Sequence, residues 1–147
     1  MVSKYNPLFN GEQALIKAKL TLESSHQENY DKILPVFLVG DEKSISSIKP
    51  DLEKAIEKGS KVISTHSMMI KNNQKNDFID NSYLLIGKAR FYDRNYLKAL
   101  ETFNYVIQEF SKNDEVRLEA ELWAARTETA LENFVNAKDR FDRIYRD

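Results

Sequence analysis

A chain of 147 residues has room for one domain with a sizeable core and little room for a second. Apolar residues at 41%, charged residues at 31%, four Gly and three Pro suit a helical globular chain better than a disordered or β-rich one. The formal charge of -1, from 22 basic and 23 acidic residues, removes any global pull toward nucleic acid or an anionic membrane, and the absence of Cys removes disulfides, thiolate metal sites and cysteine nucleophiles.

The first predicted helix opens at Asn10, an N-cap residue with Gln13 placed three positions later to return a capping-box bond, and runs to about Ser25. Its apolar face is Ala14, Leu15, Ala18 and Leu22. The polar stretch His26 to Tyr30 ends it. The following run, Lys32 to Gly40, reads as an extended segment packed as a loop along the helices, because Pro35 interrupts it and a lone strand has no partner. Its apolar core, Ile33 to Val39, falls far short of the roughly 20 residues that span a bilayer, so no transmembrane helix is expected.

Asp41 to Ile48 reads as a stunted helix, and Pro50 as the first residue of a new one, with Asp51 and Glu53 in its first turn complementing the helix dipole. Leu52, Ala55, Ile56, Gly59, Val62 and Ile63 then follow at helical spacing. The polar stretch Lys71 to Asp77 is a predicted surface loop. Beyond it the periodicity predicts four helices, Phe78 to Phe91, Tyr96 to Phe110, Glu115 to Leu131 and Phe134 to Tyr145, with turns at Asp93-Arg94-Asn95 and Glu132-Asn133.

These four helices contain a repeat. Gly87, Tyr96, Ala99 and Phe103 are matched 38 positions later by Ala125, Phe134, Ala137 and Phe141. The small residues permit close helix approach, and the aromatics are expected to fill the groove between helix pairs. A repeating hairpin cannot bury its apolar face alone, so the pattern implies stacking. The expected fold is all-α: one domain over 1-147, with clear repeats at 80-112 and 118-147 and a degenerate helical region at 10-70, in which Leu52 and Ala55 mimic the second helix of a repeat.

The order Tyr83, Ile86-Gly87, Ala89, Tyr96, Ala99, Phe103 resembles the tetratricopeptide repeat, which implies antiparallel hairpins stacked into an α-α superhelix. Glu128 and Arg90 stand where that family usually places Tyr, and a spacing of 38 rather than about 34 residues adds about one helical turn. A second resemblance covers most of the chain. Tyr5-Asn6-Pro7-Leu8-Phe9-Asn10-Gly11-Glu12, Asn29 to Phe37, Ile48 to Ile56 and Asn81 to Tyr92 look like the N-terminal region of the SprE/PorW-type lipoproteins of gliding motility and type IX secretion in Bacteroidota. That resemblance implies a periplasmic, outer-membrane-associated component linking the translocon to periplasmic ring or motor parts. The stretch after Met1 has no apolar signal region and no lipobox Cys, which suits a trimmed piece of a longer, lipid-anchored protein or else a cytosolic one.

The tetratricopeptide resemblance places Leu84, Lys88, Leu122 and Arg126 on a concave face, with Phe91 and Tyr92 nearby, as receivers of an acidic or helical segment of a partner. The competing reading gives Lys88 and Arg126 to ordinary helix-surface salt bridges. Trp123 suits packing against its neighbour better than service as an interface anchor. His26 and His66 are the only imidazoles, with no zinc-binding motif, and no phosphate loop, nucleophile elbow or catalytic constellation stands out, so neither metal, cofactor nor enzyme activity is expected. Asp139 and Asp142 read as a solvated helix face. The expected function is a non-enzymatic scaffold that binds protein partners in type IX secretion and gliding; the alternative is a general cytosolic adaptor or chaperone-type peptide receptor of the same repeat class.

Overall fold

A computed structural model describes residues 6–27, 42–69 and 77–146, and these form six helices: α1 (Asn6–Gln27), α2 (Glu42–Met69), α3 (Asp77–Tyr92), α4 (Tyr96–Glu109), α5 (Asp114–Ala130) and α6 (Phe134–Arg146). The expected segments at 32–40 and 71–76 lie outside the described residues. The chain is all-α among the described residues, and none of their helices is long and apolar enough to cross a membrane.

Two expected boundaries are corrected. The first helix starts at Asn6 rather than Asn10, because Pro7 in the first turn lacks only an N–H that has no helical acceptor there, and its fixed φ already suits a helix. The expected break at Pro50 is also absent: α2 is one helix with Pro50 inside it. Pro50 points to solvent, whereas Ile45, Ile48, Leu52, Ala55, Gly59 and Val62 are all buried at alternating three- and four-residue steps. Tertiary burial on both sides of the proline outweighs the loss of one backbone hydrogen bond, a cost of about 3 kcal/mol in a helix interior.

The four later helices follow the periodicity to within a residue or two. Their hairpin turns are the same motif used twice. Arg94 and Glu132, 38 residues apart, each adopt a left-handed backbone, with φ of 62° and 61°. In the first turn the N–H of Asn95 donates to the Arg90 carbonyl and that of Arg94 to Phe91; in the second, Asn133 donates to Glu128 and Glu132 to Thr129. These are the paired bonds that satisfy the last carbonyls of a helix. The next connection is closed by Asn113, whose Oδ1 caps α5 by accepting from the Val116 N–H while its Nδ2 donates to Asp80 of α3 at 3.2 Å.

Each helix packs on the next, and the backbones of α1, α3 and α5 also approach one another in sequence, whereas among the described residues those of α2, α4 and α6 do not. The odd-numbered helices therefore form one row and the even-numbered helices flank it. Glycines sit where this packing is closest. A Cβ on Gly59 would come within 2.9 Å of Ile86, and one on Gly11 within 2.7 Å of the Leu85 methyl. A Cβ on Gly87 would meet three atoms of the Phe103 ring at 2.5–2.9 Å.

The repeat in the sequence does not become equal burial. Tyr96 and Phe103 pack into the core of the first hairpin, but Phe134 is 62% exposed and Phe141 is only half-buried. The expectation that the aromatics of both copies fill grooves holds for α4 alone, because α5 covers α4 while no described helix covers the far side of α6.

The two hairpins are cross-linked at equivalent positions by different chemistry. In the first, Arg90 Nη1 donates to Thr102 Oγ1 at 2.7 Å, and Tyr83 faces Tyr105 with ring centroids 4.9 Å apart. The positions 38 residues on pair Glu128 with Arg140 at 3.7 Å and Glu121 with Arg143 at 3.7 Å. Arg140 also reaches Glu121 at 3.0 Å and donates to Asn104 of α4 at 2.7 Å. Glu121 and Glu128 are nearly inaccessible, and the Arg140 guanidinium serves both, with the more exposed Arg143 as a second partner for Glu121.

Two stability measurements test this description. Gly87→Ala is expected to cost about 1–3 kcal/mol in urea unfolding despite the higher helix propensity of Ala, because the wholly buried Phe103 ring has nowhere to move; Gly11→Ala, whose closest clash is with the end of the Leu85 side chain and whose next neighbour is Lys58 Cβ at 3.1 Å, should cost less. Arg140→Ala is expected to lose about 3 to 5 kcal/mol by leaving the buried Glu128 carboxylate without its ion pair and Glu121 with Arg143 alone, and a loss below about 1 kcal/mol would show that the network is dispensable.

Candidate functional site

The row formed by α1, α3 and α5 carries the residues expected to meet a partner. Lys88 of α3 is held by a hydrogen-bonded ion pair to Glu119 Oε1 of α5, and its Nζ also lies 5.6 Å from the centroid of the Trp123 ring. The Arg126 guanidinium lies over the same ring, 4.7 Å from its centroid. An aromatic face attracts a cation through its quadrupole, so Trp123 fixes where both charges stand.

Trp123 itself is packed, as the sequence favoured. It is only 9% exposed and is wedged among Phe91, Tyr92 and Phe103, with centroids 5.4, 5.9 and 6.1 Å away. Those three rings come from α3 and α4, so the tryptophan ties three helices together and orients two cations at once.

Of the six residues expected to receive a partner, four on a concave face and two beside it, three do not offer a surface. Leu84, Phe91 and Tyr92 are buried in the core. Phe91 and Tyr92 close the end of α3 against Trp123, and Leu84 sits where α3 packs against its neighbours, so their apolar character reflects core filling. Lys88, Leu122 and Arg126 are partly accessible. The ion-pair reading of Lys88 applies as well, since Glu119 neutralises it. Asp142 makes an exposed pair with Lys138 at 2.9 Å, in keeping with a solvated helix face for Asp139 and Asp142.

Glu12 and Glu119 join this site without having been singled out in the sequence. Glu12 of α1 is near enough to Lys88 and Glu119 to feel both. Its carboxyl is raised above the ordinary glutamate value, first by partial desolvation, with the Lys88 charge opposing and the Glu119 charge adding to the rise. A signal for the Lys88–Glu119 link was absent from the sequence, since the two residues are 31 positions apart on helices joined only through the fold. Tyr92 is likewise raised, mainly by burial, with Arg126 opposing and Glu23 adding.

Among the described residues no group of three or more His, Cys, Asp or Glu is arranged to hold a metal ion. No protein-family model matches the chain, and no curated protein matches it significantly.

The Glu12 shift has a definite sign. Because its folded carboxyl binds a proton more tightly than the unfolded one, ionisation above the ordinary value of 4.5 costs folding stability, and that cost disappears when the pH falls below 4.5 and both states are protonated. Glu12→Gln is therefore expected to raise Tm at pH 7 and to leave it unchanged at pH 4. An unchanged or lower Tm at pH 7 would contradict this account.

Proposed function

We propose that this chain is a non-enzymatic scaffold of the tetratricopeptide type that binds a protein partner through the row formed by α1, α3 and α5. The observation that carries the reading is the pair of cations laid over Trp123, one on α3 and one on α5, in positions set by a packed core. Side chains already fixed by packing lose little freedom on binding, so more of the contact energy appears as affinity. An acidic or amphipathic helical segment suits that surface, with carboxylates meeting the Arg126 side and apolar residues meeting Leu122. Glu119 and Glu12 restrict the attraction to that side, because they offset the Lys88 charge.

The cellular setting rests on the sequence resemblance to SprE/PorW-type lipoproteins. On that reading the chain acts in the periplasm, associated with the outer membrane through a longer lipid-anchored form, and holds translocon and ring or motor components of the type IX secretion and gliding machinery in register. Its mechanism is geometric. Stacked hairpins present a surface that needs no large rearrangement to receive a partner.

The test is affinity capture with the immobilised chain from the periplasmic fraction of a gliding bacterium. Recovery of secretion or gliding components is expected, with recovery sharply reduced by Arg126→Glu and by high salt. Recovery of none of these components would overturn the secretion assignment, and equal capture by the Arg126→Glu chain would overturn the proposed face.

A further inference from the structure

A groove of about 490 Å³ lies between α2 and α4, with α3 as its floor. It exists because the backbones of α2 and α4 do not approach each other closely. The equivalent gap between α4 and α6, over α5, is bridged from within the chain: Arg140 crosses it to Asn104, with Glu121 and Glu128 beneath. In the open groove the residue 38 positions before Arg140 is Thr102, too short to cross. The residue 44 positions before Asn104, by the offset that relates Ala55 to Ala99, is Ser60, on the groove wall. Two short side chains thus leave open what a long one closes in the next repeat.

The polarity of the floor is also reversed. Where the closed gap has the carboxylate of Glu128, the open groove has the guanidinium of Arg90. Arg90 donates one hydrogen bond, to the neutral Thr102 hydroxyl, and among the described residues no carboxylate is paired with it. Thr102 is itself committed, donating to the Lys98 carbonyl at 2.8 Å. Glu101 stands exposed at the rim on α4 and forms no ion pair with Arg90. It disfavours a run of acidic residues and leaves room for one. The rest of the floor and wall is Ile63, Ile86, the Tyr83–Tyr105 pair, and Ser64, whose hydroxyl donates to the Lys61 carbonyl at 3.1 Å.

We propose that this groove binds a segment of a protein partner that places a single carboxylate on Arg90 and an adjacent apolar side chain against Ile86 and the tyrosine pair. The site supplies, through an intermolecular contact, the cross-bridge that Arg140 supplies internally in the next repeat. It is separate from the surface centred on Trp123, so either site stands if the other fails.

The experiment is an NMR titration of the full chain with three probes: the blocked peptide acetyl-Leu-Asp-Leu-amide, its Asn counterpart, and inorganic phosphate. The Asp peptide is expected to shift the Tyr83, Arg90 and Tyr105 resonances, and the Asn peptide to bind at least about tenfold more weakly, as expected for loss of a charge-assisted bond. Arg90→Gln should weaken the Asp peptide by a similar factor. Ser60→Phe, at an exposed wall position, should abolish binding by filling the groove without altering Tm. The proposal is overturned by absence of localised shifts, by equal binding of the two peptides, or by undiminished binding to Ser60→Phe. Phosphate moving the same resonances as tightly as the peptide would overturn the assignment to a protein segment.

Discussion

Phe103 reaches the backbone of α3 because residue 87 carries no side chain, and the same ring lies nearly parallel to Trp123 of α5, at an interplanar angle of 24°. One aromatic side chain therefore spans three helices. Phe91, Tyr92 and Tyr96 complete the cluster edge-on, an arrangement in which ring quadrupoles attract rather than repel. The close approach of α4 to α3, the depth of Trp123 and the placement of Lys88 and Arg126 over it all follow from that contact. A core of interlocking rings has few ways to relax, which is why the surface above it is held in one form.

Away from this cluster the repeats are joined by polar contacts, and these differ more than the apolar ones. The hairpin cross-link at positions 90 and 102 is an arginine and a threonine; at 128 and 140 it is a glutamate and an arginine. The backbone geometry is shared, down to the left-handed residues Arg94 and Glu132. What the exchange alters is the space between the even-numbered helices: a long arginine bridges one gap and a short threonine leaves its counterpart open. Variation at one pair of positions thus opens or closes a gap between neighbouring helices without disturbing the packing that defines the hairpin.

Much of this fold was legible in the sequence. The four helices from α3 to α6, their two tight turns and the 38-residue relation between hairpins follow from local periodicity and turn chemistry, and they match the structure closely. The start of α1 and the continuity of α2 were not legible, for one reason. Asn10 and Pro50 are strong local signals, but Leu8 is buried on the far side of one, and Ile45 and Ile48 on the far side of the other. Burial upstream of each signal extended the helix, against propensity at Pro50 and with it at Pro7, whose fixed φ suits a first turn. The site was legible only in part. Lys88 and Arg126 were expected from repeat positions and are accessible, whereas Leu84, Phe91 and Tyr92 were expected beside them and are core. Arg90 and Glu128 stood out as departures from a repeat pattern, yet their roles depend on Thr102 and Arg140, which they meet only once the hairpins close.

The sequence by itself determined the helical class, the hairpin repeat and the polarity of each helix face, because these are written in spacings of three and four residues that act within a single element. Only the tertiary structure decided which members of equivalent positions are buried, which cations share Trp123, and which gap between helices is bridged. Those outcomes depend on neighbours far apart in the chain: Phe103 is covered because α5 lies over it, Phe134 is exposed because no described helix does the same for α6, and Arg140 closes its gap because Asn104 is there to receive it.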